Sequence, residues 1–271
     1  MALWRFIDSG LLGGASNMAV DEALLACFDP ERSLPILRIY GWEPPALSLG
    51  RFQKAHEVLD RERCGREGVV VVRRITGGGV IYHGGELTYS LVCAPHHLPP
   101  VASIKESFRV LTSFIMRFYA GLGMVPRYAL DDCPAGAALG ERTPFCFAGR
   151  ESYDIMIDGR KIGGNAQRRL KRAIFQHGSI PVENHIPRGA AFLRDPPAGI
   201  GEKSGALRDL GVESSLGMLR ARLADAFRES FAATFREEGL SAAESAQAAS
   251  LHGKHASFAW TWEGVDERTN R

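Results

Sequence analysis

Arg73-Arg74 and, after Ile75 and Thr76, Gly77-Gly78-Gly79 combine fixed positive charge with exposed main chain. Glycine admits positive φ and carries no Cβ, so a ligand can approach the backbone closely. Beside two arginines that ligand is anionic or carbonyl-bearing. His83, Gly84, Gly85 and Glu86 follow at once. A hairpin that simply needs glycine is the plain alternative, but five glycines and paired arginines exceed what a turn requires. The familiar phosphate motifs do not fit. A Walker loop places Lys then Ser or Thr after its last glycine, and a dinucleotide fingerprint opens a helix. Here Val80-Ile81-Tyr82 continues as strand.

A second group of candidates lies downstream. Cys146 stands between Phe145 and Phe147 at the end of a loop. It reads either as a small apolar packing residue or as a thiolate nucleophile that forms a thioester, which needs a neighbouring cation or base. Lys161 is that cation. A lone lysine is usually a solvated one, but the string GRKIGGNAQRR surrounds it with Gly163, Gly164 and Asn165, types suited to close main-chain contact with a ligand. His83 and His177 each stand beside glycine, as acid/base groups or as hydrogen-bonded structural histidines. Arg168 to Arg172 reads as a solvated turn, or as a surface for an acidic partner or a phosphate. No carboxylate pair or His/Asp cluster offers a metal site.

The elements that must position these residues follow from periodicity. Val69–Val72, Val80–Tyr82 and Leu87–Val92 read as strands, the first two as strand and return strand about the glycine turn. Leu34–Tyr40, Ala46–Leu49 and Ala173–Val182 read as further strands. Asp158-Gly159 between Tyr153–Ile157 and Arg160–Ile162 is a hairpin signal. Asn17–Phe28, His56–Gly65, Ser103–Leu122 and Leu216–Phe235 have helical spacing. Tyr128–Pro144 reads as loop. The mixture without strict alternation indicates an α+β fold with a mixed or antiparallel central sheet flanked by helices.

With 271 residues, 45% hydrophobic and 24% charged, the chain can bury a sizeable core. We expect one catalytic domain over 1–240 and a tail over 241–271 docked through Trp260 and Trp262. A net charge of +2 argues against nucleic-acid binding. No apolar run reaches the roughly 20 residues of a membrane span, and the first residues lack a signal-peptide core, so a cytoplasmic location is expected. Five cysteines without CxxC spacing argue against a disulfide framework.

Taken together, RRITGGGVIYHGGELTYSLV, GRKIGGNAQRR and QHGSI resemble the lipoate-protein ligase and octanoyltransferase family of the biotin/lipoate protein ligase superfamily. NMAVDEALL and PALSLGRFQ match its amino-terminal segments in the same order. The resemblance implies that superfamily's catalytic-domain fold. It also implies one of two chemistries. Transferases move octanoate from octanoyl-acyl carrier protein, through a cysteine thioester and without a cofactor, to a lysine of a lipoyl domain such as glycine cleavage H protein or a dehydrogenase E2. Ligases use ATP and Mg to make a lipoyl-adenylate. Cys146 matches the transferase cysteine, and Lys161 the lysine that polarises the acyl carbonyl. Arg74, Gly77, Gly78, Gly79 and His83 match the glycine loop over the acyl chain. Gly163, Gly164, Asn165 and His177 complete the expected binding set. An acyl channel is expected along Val70, Val72, Val80 and Tyr82. The sequence departs from close transferases at Gly79, where many carry arginine, and the triple glycine is the ligase pattern. Amidotransferases of lipoyl groups differ around the glycine loop and QHGSI. A non-catalytic lipoyl- or biotin-binding module is the alternative of another class, and no DNA-binding helix-turn-helix precedes the core.

Overall fold

The amino-terminal residues Ala2–Leu12 form a strand (β1), followed by the helix Gly14–Cys27 (α1). Ile36–Trp42 (β2) and Ala46–Leu49 (β3) come next, then two short helices, Ala55–Val58 (α2) and Arg61–Arg66 (α3), the second capped by Asp60. Val70–Arg73 (β4), Ile81–His83 (β5) and Glu86–Cys93 (β6) lead to the long helix Ile104–Gly121 (α4), capped by the Ser103 hydroxyl. Short strands follow at Arg127–Tyr128 (β7), Ile155–Ile157 (β8) and Arg160–Lys161 (β9), then longer ones at Gly164–Arg169 (β10) and Ile174–Pro181 (β11). Ile186–Ala190 (α5), Ile200–Lys203 (α6), Leu216–Phe231 (α7), Ala233–Glu237 (β12) and Ala242–Ala256 (α8) complete the order, with a π-turn at Ala259–Glu263. The structure is a computed structural model and describes residues 1–101, 103–131, 152–196 and 199–266.

Six strands form one mixed sheet in the order β10-β11-β6-β2-β1-β12, with β1 parallel to both neighbours and the other pairs antiparallel. Side chains alternate across it. Leu37, Ile39, Tyr89, Leu91 and Ile174 pack under α4 and α7 with Phe114 and Phe227. Ile7, Ile36, Val92 and Phe175 pack under α1 and α8. Each such side chain contributes roughly 1.5–3 kcal/mol by leaving water.

Two smaller sheets carry the candidate site. In one the order is β4-β3-β5. The strands about the glycine turn therefore do not pair with each other: β3 lies between them, parallel to β4 and antiparallel to β5. The expected acyl channel does not form for the same reason. Cross-strand register puts Val70 and Val72 on the face of Ala46 and Ser48, where they pack with Met18 and Trp42. Tyr82 lies opposite Leu47 and joins Val80 in a cluster with Phe192. The four residues line two cores, not one wall. The other sheet is β7-β8-β9, joined by a turn in which Asp158 (φ 49°) and Gly159 (φ 75°) both have positive φ, as a type I′ hairpin demands.

Other boundaries shifted for identifiable reasons. Arg168 and Arg169 belong to β10 and not to a turn, because Gly164–Arg169 pairs along β11. Residues 232–237 leave the α7 helix through Ala232 (φ 44°) to become β12. The carboxy-terminal residues carry α8, which packs on α1, and a fully buried Trp260.

Candidate active site

The face of the large sheet beneath α1 holds a row of polar side chains where an apolar layer would be usual. Arg38 and Tyr40 (β2), Thr88 and Ser90 (β6) and His177 and Ser179 (β11) all lie there, buried. Burying such groups is costly unless each is hydrogen-bonded, and α1 supplies the partners of Arg38, Tyr40 and Ser90. Asp21 accepts from Arg38 Nη1 (2.7 Å), Tyr40 Oη (2.8 Å) and Ser90 Oγ (2.7 Å), while Asn17 Oδ1 accepts from Arg38 Nη2 (2.7 Å). Burial alone would raise the Asp21 carboxyl, but Arg38, then His177 and Ser90, hold it below the ordinary range.

His177 connects this network to the glycine loop. Its Nδ1 faces Asp21 Oδ2 at 3.8 Å, and its Nε2 lies 2.6 Å from the Thr76 hydroxyl, directly ahead of Gly77. Burial pushes the imidazole below its usual pKa; Asp21 opposes this, and Arg74 and His83 add to it. A neutral ring with its proton on Nδ1 then accepts from Thr76.

The loop is held from inside. Arg74 donates to the carbonyls of Ser48 (2.9 Å), Gly77 (2.9 Å) and Gly79 (2.7 Å), so its guanidinium shapes the loop. Gly78 has φ +94°, and a Cβ there would meet Arg74 Nη2 at 2.8 Å. His83 is stacked on Trp42 at 3.9 Å between centroids, with Nδ1 2.5 Å from Glu86 Oε1 and Nε2 2.7 Å from Ser48 Oγ. The Glu86 carboxylate also accepts from Thr88 and Ser179, both at 2.6 Å.

Lys161 is 2% exposed, not solvated, with Nζ 2.7 Å from Asp154 Oδ2. Removing its proton would strip a buried carboxylate of the opposite charge beside it, which is expensive. The turn that follows is tight: Gly163 has φ +97°, and a Cβ would lie 2.5 Å from the Ser179 carbonyl oxygen. Gly164 begins β10 opposite Ser179. Asn165 Oδ1 accepts from Tyr89 Oη at 2.6 Å on the α4 face, where any Cβ on Gly178 would strike it at 2.2 Å. The fold thus links His177 to Thr76 ahead of the glycine loop and sets Gly163 against Ser179, while Lys161 pairs with Asp154 and the side chain of Asn165 serves the opposite face. Cys146 lies outside the described residues.

Sequence reasoning missed Asp21, Arg38, Ser48, Thr76 and Asp154. Two left a signal. Asp21 interrupts the apolar run NMAVDEALL, and Arg38 interrupts the strand ILRIYGW; a charge inside a buried run requires a partner.

Residues 14–228 match the family model described as the lipoyl protein ligase A/B catalytic domain. Octanoyltransferase LipM of Kyrpidia tusciae is 33% identical, the alignment covering 97% of this chain and 99% of that protein. Octanoyltransferase LipM of Geobacillus kaustophilus is 41% identical over 183 residues, 67% of this chain and 66% of that one. Among solved structures, the T. acidophilum protein Ta0514 with bound lipoic acid superposes with a TM-score of 0.79 at 26% identity, covering 97% of this chain and all of the other. A lipoate-protein ligase A bound with ATP shares the fold with a TM-score of 0.80 at 24% identity, covering 97% and 99%.

Proposed function

We propose that this chain, which belongs to the lipoyl protein ligase A/B catalytic-domain family, is an octanoyltransferase that takes its acyl group from octanoyl-acyl carrier protein and gives it to a lysine of a lipoyl-domain protein in the cytoplasm. The observation that carries the reading is a buried ammonium, Lys161 with Asp154 at 2.7 Å, set two residues before the tight Gly163 turn that abuts Ser179. A positive charge fixed beside exposed main chain suits a carbonyl that becomes an oxyanion, and such donors are typically worth a few kcal/mol each. The name shared by the curated relatives supports it.

In the first step the Cys146 thiolate attacks the thioester carbonyl. The bond to the carrier's thiol breaks, the carrier thiolate leaves and takes a proton, and octanoyl-Cys146 forms. In the second, the acceptor's ε-amine attacks the acyl-enzyme; the new amide forms as the Cys146 sulfur departs as thiolate, and the Asp154 carboxylate, beside the already protonated Lys161, takes the proton that the amine loses. Cys64 and Cys93 are unsuited to the nucleophile's part, since burial pushes their thiols up to about 11 and about 12. The reaction consumes no ATP.

Purified wild-type protein mixed with octanoyl-carrier protein is expected to show an octanoyl adduct on Cys146 by mass spectrometry. Cys146→Ser is expected to show none and to lose transfer to a lipoyl domain. Full transfer by that variant sinks the thioester route. The triple glycine is the feature that favours the ligase reading, which instead requires octanoate-dependent ATP–pyrophosphate exchange indifferent to Cys146.

A further inference from the structure

The turn after β3, residues 50–53, lies against the outer side of the glycine loop. A Cβ on Gly50 would sit 2.0 Å from the Gly78 carbonyl oxygen, and Arg51 N–H donates to the Thr76 carbonyl at 2.7 Å. From this turn Arg51 reaches over the Trp260 ring, its guanidinium carbon 4.1 Å from the centroid. Its Nη1 is buried and has no hydrogen-bond partner among the described residues. A buried guanidinium N–H left unmatched is costly, so its presence calls for an acceptor from outside.

A cavity of about 400 Å³ adjoins it, lined by Arg51, Phe52, Lys54, His56, Arg73 and Trp262, with Glu263 its one acidic side chain. That volume suits a small ligand. The nearby carboxylates are otherwise engaged: Glu22 and Asp266 lie 2.7 and 2.8 Å from Lys254 Nζ. A further cation bears on the place. Burial, and after it Arg168 on β10, lowers the Arg51 pKa, while Asp266 and Glu22 act against the shift. Lys54 is paired with Glu57, but Arg51 and Arg73 have no ion pair among the described residues, so the site offers two guanidinium charges, a planar fork and two aromatic walls. It lies one contact from Thr76, and through His177 and Ser179 near the turn that follows Lys161.

We infer that this cavity binds a phosphate ester, with Arg51 as its anchor, and that the ester is the phosphodiester of the arm on which the acyl donor travels. The inference rests on the transferase reading above and deepens it. The arm joins a charged phosphodiester to a gem-dimethyl segment and a thioester. Its charge would rest on Arg51, its apolar segment on Phe52 and Trp262, and its reactive end would reach past the glycine loop. A planar guanidinium recognises phosphate in two-point fashion, which a lysine cannot reproduce.

The test compares two minimal donors that differ only in the phosphate, octanoyl-phosphopantetheine and octanoyl-pantetheine. Wild-type protein is expected to favour the phosphorylated donor in kcat/KM on the order of tenfold. Arg51→Gln is expected to bring the ratio of the two near one, and Arg51→Lys to leave it between. Free phosphopantetheine is expected to compete with octanoyl-carrier protein on unaltered enzyme, and pantetheine to compete far less. Equal use of the two donors by the wild type, or an unchanged ratio in Arg51→Gln, overturns the proposal. So does competition by ATP without competition by phosphopantetheine, which assigns the anion to a nucleotide. Absence of transfer even from octanoyl-carrier protein would instead remove the transferase reading itself.

Discussion

Arg73 and Arg74 are adjacent, both buried, and leave the end of β4 toward different partners. Arg73 donates to Gly50, Arg51 and Gln53 carbonyls and to those of Trp260 and Thr261, while the Trp260 indole N–H returns a bond to the Arg73 carbonyl at 2.9 Å. Arg74 reaches Ser48, Gly77 and Gly79. One arginine fastens the carboxy-terminal segment to the body; the other gives the glycine loop its curvature. Each satisfies main-chain carbonyls, most of them in irregular backbone that no repeating ladder serves. The pair teaches that charge beside glycine can be main-chain scaffolding first.

If the division is real, truncating the two must have different consequences. Arg73→Ala leaves carbonyls from two segments unmatched and is expected to cost about 4 kcal/mol, read from the urea midpoint. A loss below about 1 kcal/mol would break the comparison. Acid offers the next largest effect, on the same side of the molecule. Burial would raise the Glu22 carboxyl, but hydrogen bonds from His255 and Lys254 hold it at about 2, against 4.5 unperturbed. A depressed carboxylate stabilises above its unfolded pKa and loses that contribution as pH falls through the folded one. Stability of up to roughly 3 kcal/mol should therefore fade between pH 4.5 and 2, and Lys254→Ala should flatten that profile in urea titrations.

Arg74→Ala should behave in the opposite manner, with a modest stability loss and transfer reduced about 100-fold, equivalent to about 2.7 kcal/mol. Equal losses in stability and activity would erase the distinction. The smallest effect sharpens it most. Trp260→Phe keeps the ring but removes the N–H to Arg73, so about 1 kcal/mol of stability is expected to go, measured by thermal unfolding, with the glycine loop's work preserved.

What could be read from residues alone was what is local. Asp158-Gly159 forces its own turn, and β3 and α4 announce themselves through composition and spacing. β1 did not, because its burial alternates only loosely along ALWRFIDSGLL and its pairing depends on strands from both ends of the chain. The glycine loop was legible as a site, but the insertion of β3 between β4 and β5 was not, since register there is decided by packing on α1. Lys161 stood out by its neighbours; its partner Asp154 did not, because only the fold of β8 against β9 sets the two side by side.

The place of β1 has a bearing on how the chain reaches this state. Residues 2–6 pair along one side with residues 233–237, and residues 5–12 pair along the other with residues 36–42. During synthesis the second side is covered early, while the first waits for residues 233–237. A nascent chain therefore presents an open strand edge throughout its elongation, of the kind that templates wrong pairings. Closure of that edge is a long-range step with a large loop entropy to overcome, and such steps are slow. Slow maturation, and a need for protection until β12 emerges, are built into the topology.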